Sequence, residues 1–209
     1  MIAQLEESVC STAVDGLAEV GRDFYRRGWV LGSSGNFSAK LQDEPVRVAI
    51  SRSGVDKGTL TPEDFLVVDR TGAVTSGIGR PSAETAIHLA IMRATRAASV
   101  LHTHSVCATI LSQRNAQYGG MAISGYEMLK GLAGVRSHAH REWIPVLDNS
   151  QDYGVLAREV ETALRRFPAS HGLLLKAHGL YTWGADVAEA RRHVEILEFL
   201  LEVLTRWPS

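Results

Sequence analysis

The sequence predicts an α/β domain in which a β-sheet is covered by helices. Two observations predict it. Segments with apolar residues three and four apart alternate along the chain with short runs of aliphatic and β-branched residues. Several of those runs are neighbours that can pair antiparallel. No internal repeat, low-complexity tract or linker interrupts the 209 residues, of which 45% are hydrophobic, so a single domain over 1–209 with a sizeable core is expected.

The elements follow in order. Leu5, Val9, Ala13, Leu17, Val20 and Phe24 share one helical face, predicting a helix over about 4–27 with Gly28 as its stop. Gly32 to Ser38 is too polar and glycine-rich for a helix interior. Val46 to Ile50 alternates like a strand. Thr61-Pro62-Glu63-Asp64 resembles a short helix start, and Phe65 to Val68 a strand. Arg80-Pro81-Ser82-Ala83-Glu84 introduces a helix with Ile87, Ile91 and Ala94 on one face. Ser99 to His104 reads as a strand and 105–113 as a helix. Trp143 to Leu147 reads as a strand that Pro145 weighs toward a sheet edge. A helix over 153–167 and an apolar strand over 171–176 follow. Val187, Ala190, Val194, Leu197, Leu201 and Leu204 mark a long final helix, with Asp186 and Glu189 as a capping pair.

Composition excludes several function classes. Lys and Arg number 22 against 23 Asp and Glu, so no basic excess points to nucleic acid or an anionic membrane. Cys10 and Cys107 match no metal or redox spacing. The start MIAQLEESVC lacks a signal-peptide pattern. No apolar run reaches the roughly 20 residues needed to span a bilayer. A cytoplasmic location is expected.

Histidines carry the chemistry. His102 and His104 flank Thr103 on a predicted strand, where residues two apart face the same way. Two imidazoles on one face suit two corners of a metal site. His178 follows a strand and precedes Gly179, a common setting for an active-site residue. Three histidines with an open fourth position fit a catalytic zinc, although iron, cobalt and manganese accept the same ligands. The plain alternative is a surface strand with His178 at a strand end. His138-Ala139-His140 has the same spacing in a polar stretch and reads as loop. His88 and His193 fall on predicted helices and read as packing or surface residues.

Five segments then occur in register: Ser33-Ser34-Gly35-Asn36-Phe37-Ser38, Ile50-Ser51-Arg52-Ser53-Gly54, Arg80-Pro81-Ser82-Ala83-Glu84, Leu101-His102-Thr103-His104 and Lys176-Ala177-His178-Gly179-Leu180. Together they resemble the class II aldolase/adducin family across nearly the whole chain. The resemblance implies a mainly antiparallel sheet covered by helices. It implies one Zn²⁺ per subunit on His102, His104 and His178, and a homotetramer with sites at subunit boundaries. It implies a sugar-phosphate substrate whose phosphate binds Ser34, Gly35, Asn36, Ser53, Gly54 and Ser82. Glycine-rich turns and helix starts do offer backbone N–H groups to anions. Lys57 is a further candidate there, as a nearby positive charge. Ordinary turn chemistry is the alternative for these glycines.

Ser124 to Leu132 and His178 to Gly184 are similar to a dehydratase branch of that family, which acts on a 5-methylthio ketose 1-phosphate in methionine salvage. In that branch the residue matching Glu127 is the acid–base; in the aldolases it is the one matching Glu84. Glu127 is therefore expected to lie partly buried near a pocket, and Glu84 is the second candidate, with a helix-start charge as its alternative. One departure is Ala83, where the aldolases have a second serine. Dehydration would remove the C3 proton and the C4 hydroxyl; aldol cleavage would break C3–C4 instead. A sugar-phosphate aldolase or 4-epimerase is thus the main rival. A non-catalytic adducin-like interaction module is a second, disfavoured by the retained histidines and carboxylates.

Overall fold

The computed structural model describes residues 2–206, with side chains from Thr12 onward; Leu5, Val9 and Cys10 lie outside the described side chains. Nine strands form one sheet: β1 (Asn36–Gln42), β2 (Arg47–Ser51), β3 (Phe65–Val68), β4 (Val74–Ser76), β5 (Ser99–Thr103), β6 (Gly120–Ser124), β7 (Arg141–Leu147), β8 (Gly172–Leu175) and β9 (Gly179–Gly184). Their order is β4-β3-β2-β1-β5-β9-β8-β7-β6. Every pairing is antiparallel except β7 with β8. The helices are α1 (Ile2–Arg26), α2 (Thr85–Thr95), α3 (Val106–Asn115), α4 (Tyr153–Arg166) and α5 (Val187–Arg206).

Alternating side chains explain the layers. Leu173 and Leu175 pack with α2 and α4 on one face, while Leu174 and Leu180 pack with α3 and α5 on the other. A third cluster joins Leu17, Val20 and Phe24 of α1 to Phe37 and Leu101. With both faces covered, β8 needs a continuous apolar run rather than alternation. Asp152 caps α4 through Val155 N–H at 2.9 Å, and Asp186 accepts from Glu189 N–H at 2.7 Å at the start of α5. Among the described residues no helix is long and apolar enough to cross a membrane.

β7 lies between β8 and β6, so Pro145 is not on an edge strand. It is accommodated because the β6 ladder ends opposite it, at Gly120, and the β8 ladder begins only at Val146. The stretch too polar for a helix interior is indeed not helix, and from Asn36 it is strand, paired opposite His102. Strands β4, β6 and β9 had no counterpart in the sequence reading; glycines at or near their ends disguise them.

Candidate metal centre and adjoining cavity

His102 lies near the end of β5 and His104 one residue beyond it. His178 sits in the β8–β9 turn, and Glu84 at the start of α2. One ligand atom from each lies within 4.8 Å of the others. The backbone is built for this convergence. Gly179 brings β9 so close to β5 that a Cβ there would overlap the Thr103 carbonyl oxygen. At Gly35, φ is +72° and a Cβ would meet His102 O at 2.7 Å.

The histidines could serve as ligands. His102 is fully buried and donates from Nδ1 to Leu180 O at 2.9 Å, which leaves the Nε2 lone pair facing His178 Nε2 at 3.3 Å. Its ring stacks on Tyr181 at 3.8 Å. Burial, then the other histidines, holds its pKa well below the usual value; burial holds His104 at about 4 and also lowers His178. All three are therefore neutral near pH 7, with lone pairs available. His178 Nδ1 is buried without a hydrogen-bond partner. Three imidazole nitrogens beside a carboxylate fit a divalent metal such as zinc.

Glu84 is held by a polar relay that the sequence did not reveal. Ser38 Oγ donates to His88 Nδ1 at 2.6 Å, and His88 Nε2 donates to Asn36 Oδ1. Asn36 Nδ2 then donates to Glu84 Oε2 at 2.5 Å. Burial lowers His88 to about 3, so its single proton keeps this direction. Glu84 Oε1 lies 3.3 Å from His178 Nε2, and Oε2 lies 3.5 Å from His102 Nε2. Of the packing and surface roles left open for His88 the structure shows packing, fully buried, and it also orients a carboxylate at the cluster. Behind the β5 end, Thr103 Oγ1 donates to Glu198 Oε1 at 2.6 Å.

Ser34, Gly35, Asn36, Ser53, Gly54, Lys57 and Ser82 all line one cavity of about 200 Å³, which His104 and Glu84 also border. Ser33, Arg52, Ala83 and Tyr153 complete its wall. Lys57 is only 1% exposed; its ammonium donates to Val55 O at 2.8 Å and Ser33 O at 3.2 Å. Burial lowers its pKa to about 8, against the pull of Asp56 and Asp64. Arg52 pairs with Asp64 but leaves its Nε buried and unpartnered. Sequence reasoning quoted Arg52 in a motif without assigning it, and missed Tyr153, because both reach the cavity only through the fold.

Glu127 corrects the expected burial. It begins the short 3-10 helix Glu127–Gly131, and its side chain is 71% exposed. Lys130 pairs with it at 2.5 Å and holds its pKa below the usual carboxylate value. It does not line the cavity of its own chain. The apolar residues after it do not bury it, because Leu129 turns inward while Met128 stays exposed.

The model of the class II aldolase and adducin N-terminal domain matches residues 15–205. The chain belongs to this family. A methylthioribulose-1-phosphate dehydratase of Sorangium cellulosum is 44% identical, covering 89% of this chain and 88% of its own. One from Methylococcus capsulatus is 46% identical, covering 91% of both. Among solved class II aldolase folds, an L-fuculose-1-phosphate aldolase of Thermus thermophilus superposes with a TM-score of 0.70 at 26% identity, covering 94% of this chain and 93% of that one. A sugar-phosphate aldolase of Thermotoga maritima, 18% identical with a TM-score of 0.68, covers 95% of this chain and 97% of that one and shares the fold.

Proposed function

We propose that this class II aldolase family member is a methylthioribulose-1-phosphate dehydratase: a zinc-containing cytoplasmic homotetramer that removes water from 5-methylthioribulose 1-phosphate, giving 2,3-diketo-5-methylthiopentyl 1-phosphate in methionine salvage. The observation that carries the reading is the four-residue ligand cluster opening onto a cavity lined by Lys57 and Arg52. The dehydratase relatives named above support the substrate.

His102, His104 and His178 would hold a divalent ion, which would supply the Lewis acidity that polarises a ketose carbonyl. The chain's own groups do the rest. Lys57, Arg52, Ser34, Ser53 and Ser82, with the N–H groups of Gly35, Asn36 and Gly54, bind the substrate phosphate. The Asn36 amide holds the Glu84 carboxylate aimed at the cluster. Glu127 accepts the C3 proton and returns one to the C4 hydroxyl as it leaves. An exposed carboxylate paired with lysine stays ionised and is a poor proton donor; covering it would raise its pKa toward working pH. Glu127 therefore acts in a neighbouring subunit's cavity, where the abutting chain desolvates it.

The position of Glu84 favours one second reading. Its carboxylate, 3.3 Å from His178, is the better placed proton carrier within a single chain, as an aldolase requires. The test is incubation with methylthioribulose 1-phosphate. Diketone formation, lost in Glu127→Gln with metal retained, is expected. Release of an aldehyde would replace this reading with the aldolase one; full diketone-forming activity in that variant would remove Glu127 from the mechanism.

A further inference from the structure

A second cluster of histidines lies away from the metal centre, where the 3-10 turn of Glu127 returns to the sheet. Glu142 on β7 is 1% exposed. It accepts from His171 N–H at 2.8 Å and from His171 Nδ1 at 3.0 Å, and pairs with His140 Nε2 at 2.8 Å. His171 Nε2 donates to Ala133 O at 2.8 Å. Both ring nitrogens of His171 thus face acceptors, which demands the imidazolium. Burial opposes that charge, but Glu142 and the Ala133 carbonyl outweigh it and raise the pKa.

The other backbone polar group of Ala133 is held as well. Ala133 N–H donates to His193 Nε2 at 3.1 Å, while His193 Nδ1 donates to Trp183 O at 2.7 Å. That tautomer is neutral, as burial requires. The two rings meet at 5.0 Å, edge to face. Arg192 Nε adds a bond to Gly131 O at 2.9 Å.

We infer that His171 and His193 are positioning residues for Glu127: one charged and one neutral imidazole hold the two backbone polar groups of Ala133, its C=O and its N–H, and fix the turn that presents the carboxylate. The grip reaches Glu127 through successive backbone turns. Leu129 N–H donates to Tyr126 O, Leu132 N–H to Leu129 O, and Val135 N–H to Leu132 O, each at 3.0–3.1 Å. Gly125 N–H donates to His138 O at 3.0 Å and closes the loop at its base. Leu129 and Leu132 anchor its inner side in the core. Within its own chain Glu127 is 71% exposed, so the backbone turn beneath it sets where the carboxylate starts. Active-site groups displaced by about 1 Å lose roughly 100-fold in rate; Lys130 pairs with the carboxylate at 2.5 Å but rides on the same turn, so the backbone grip sets where both lie.

The inference rests on the acid–base reading of Glu127, and the test separates the two. His193→Leu removes both bonds of that ring, and His193→Gln can keep an acceptor for Ala133 N–H and a donor for Trp183 O. His171→Gln cannot donate to both Glu142 and Ala133 as the imidazolium does. Each is assayed for kcat, KM, bound metal and amide hydrogen exchange, beside Glu127→Gln. In His193→Leu and His171→Gln, kcat falls about 10- to 100-fold, with KM and bound metal unchanged and faster exchange over 127–135. His193→Gln stays near wild type. Unchanged exchange over 127–135 overturns the grip. Unchanged kcat in these variants while Glu127→Gln is inactive overturns the positioning role, as does loss of metal alongside activity. If His171→Gln fails to fold, the His193 pair decides. A fully active Glu127→Gln refutes the acid–base reading and the positioning role with it, while the exchange data still report the grip.

Discussion

Replacing Glu198 with Gln should stabilise the protein at alkaline pH and leave it unchanged in acid. Glu198 lies on α5 beneath the turn that carries His102 and His104, nearly fully buried, with Thr103 and Ser105 as its partners. Burial raises its pKa from the ordinary 4.5 to about 7, against the hydrogen bonds from Ser105 and Thr103. The folded protein therefore binds the proton more tightly than the unfolded chain. Stability is full below pH 4.5 and falls as pH rises through about 7. A shift of about 2.5 units at 1.36 kcal/mol each is a loss of about 3 kcal/mol by pH 8. Gln keeps an acceptor for Thr103 and cannot ionise, so it escapes the loss. The assay is urea unfolding of both proteins at pH 5 and pH 8. Metal binding is itself pH-dependent, but it is common to both and cancels in the difference. The gap should open from about 1 kcal/mol at pH 5 to about 3 kcal/mol at pH 8. A gap that stays constant with pH would refute the buried-carboxyl argument.

Other outcomes are expected at the cavity and the cluster. Lys57→Met should raise KM for the sugar phosphate about 10- to 100-fold, the worth of a charged hydrogen bond, with less effect on kcat. In the wild type, phosphate affinity should weaken as pH rises through about 8 and the ammonium is lost, a dependence absent from the variant. Gly179→Ala should destabilise by about 3 kcal/mol or more, read by thermal unfolding, because its methyl meets the Thr103 carbonyl. Chelation should lower Tm and abolish activity, and added zinc should restore both, since a ligand that binds only the folded state stabilises it. His102→Ala should carry no metal and show no such response.

What the sequence determined by itself was whatever short-range pattern encodes. The spacing of Leu17, Val20 and Phe24, and of Val194, Leu197 and Leu201, specifies helices because a helical face repeats every three to four residues. His102 and His104 were legible as a pair because two residues span one strand repeat. The polar glycine motifs marked the segments that line one cavity, through family likeness more than local physics. Tertiary structure decided the rest. Glu84 joins the histidines only because β1 places Asn36 between it and His88, 48 and 52 residues apart in the chain. Arg52 and Tyr153 reach the cavity by the same long-range packing. Glu127 was read as half-buried from its apolar neighbours, yet a 3-10 turn points Leu129 inward and leaves the carboxylate in solvent. The His138-Ala139-His140 stretch is loop, as read, but His140 still meets Glu142 and, through it, His171. Periodicity reports which face a side chain takes; which distant side chain it meets there depends on the order in which nine strands are laid side by side.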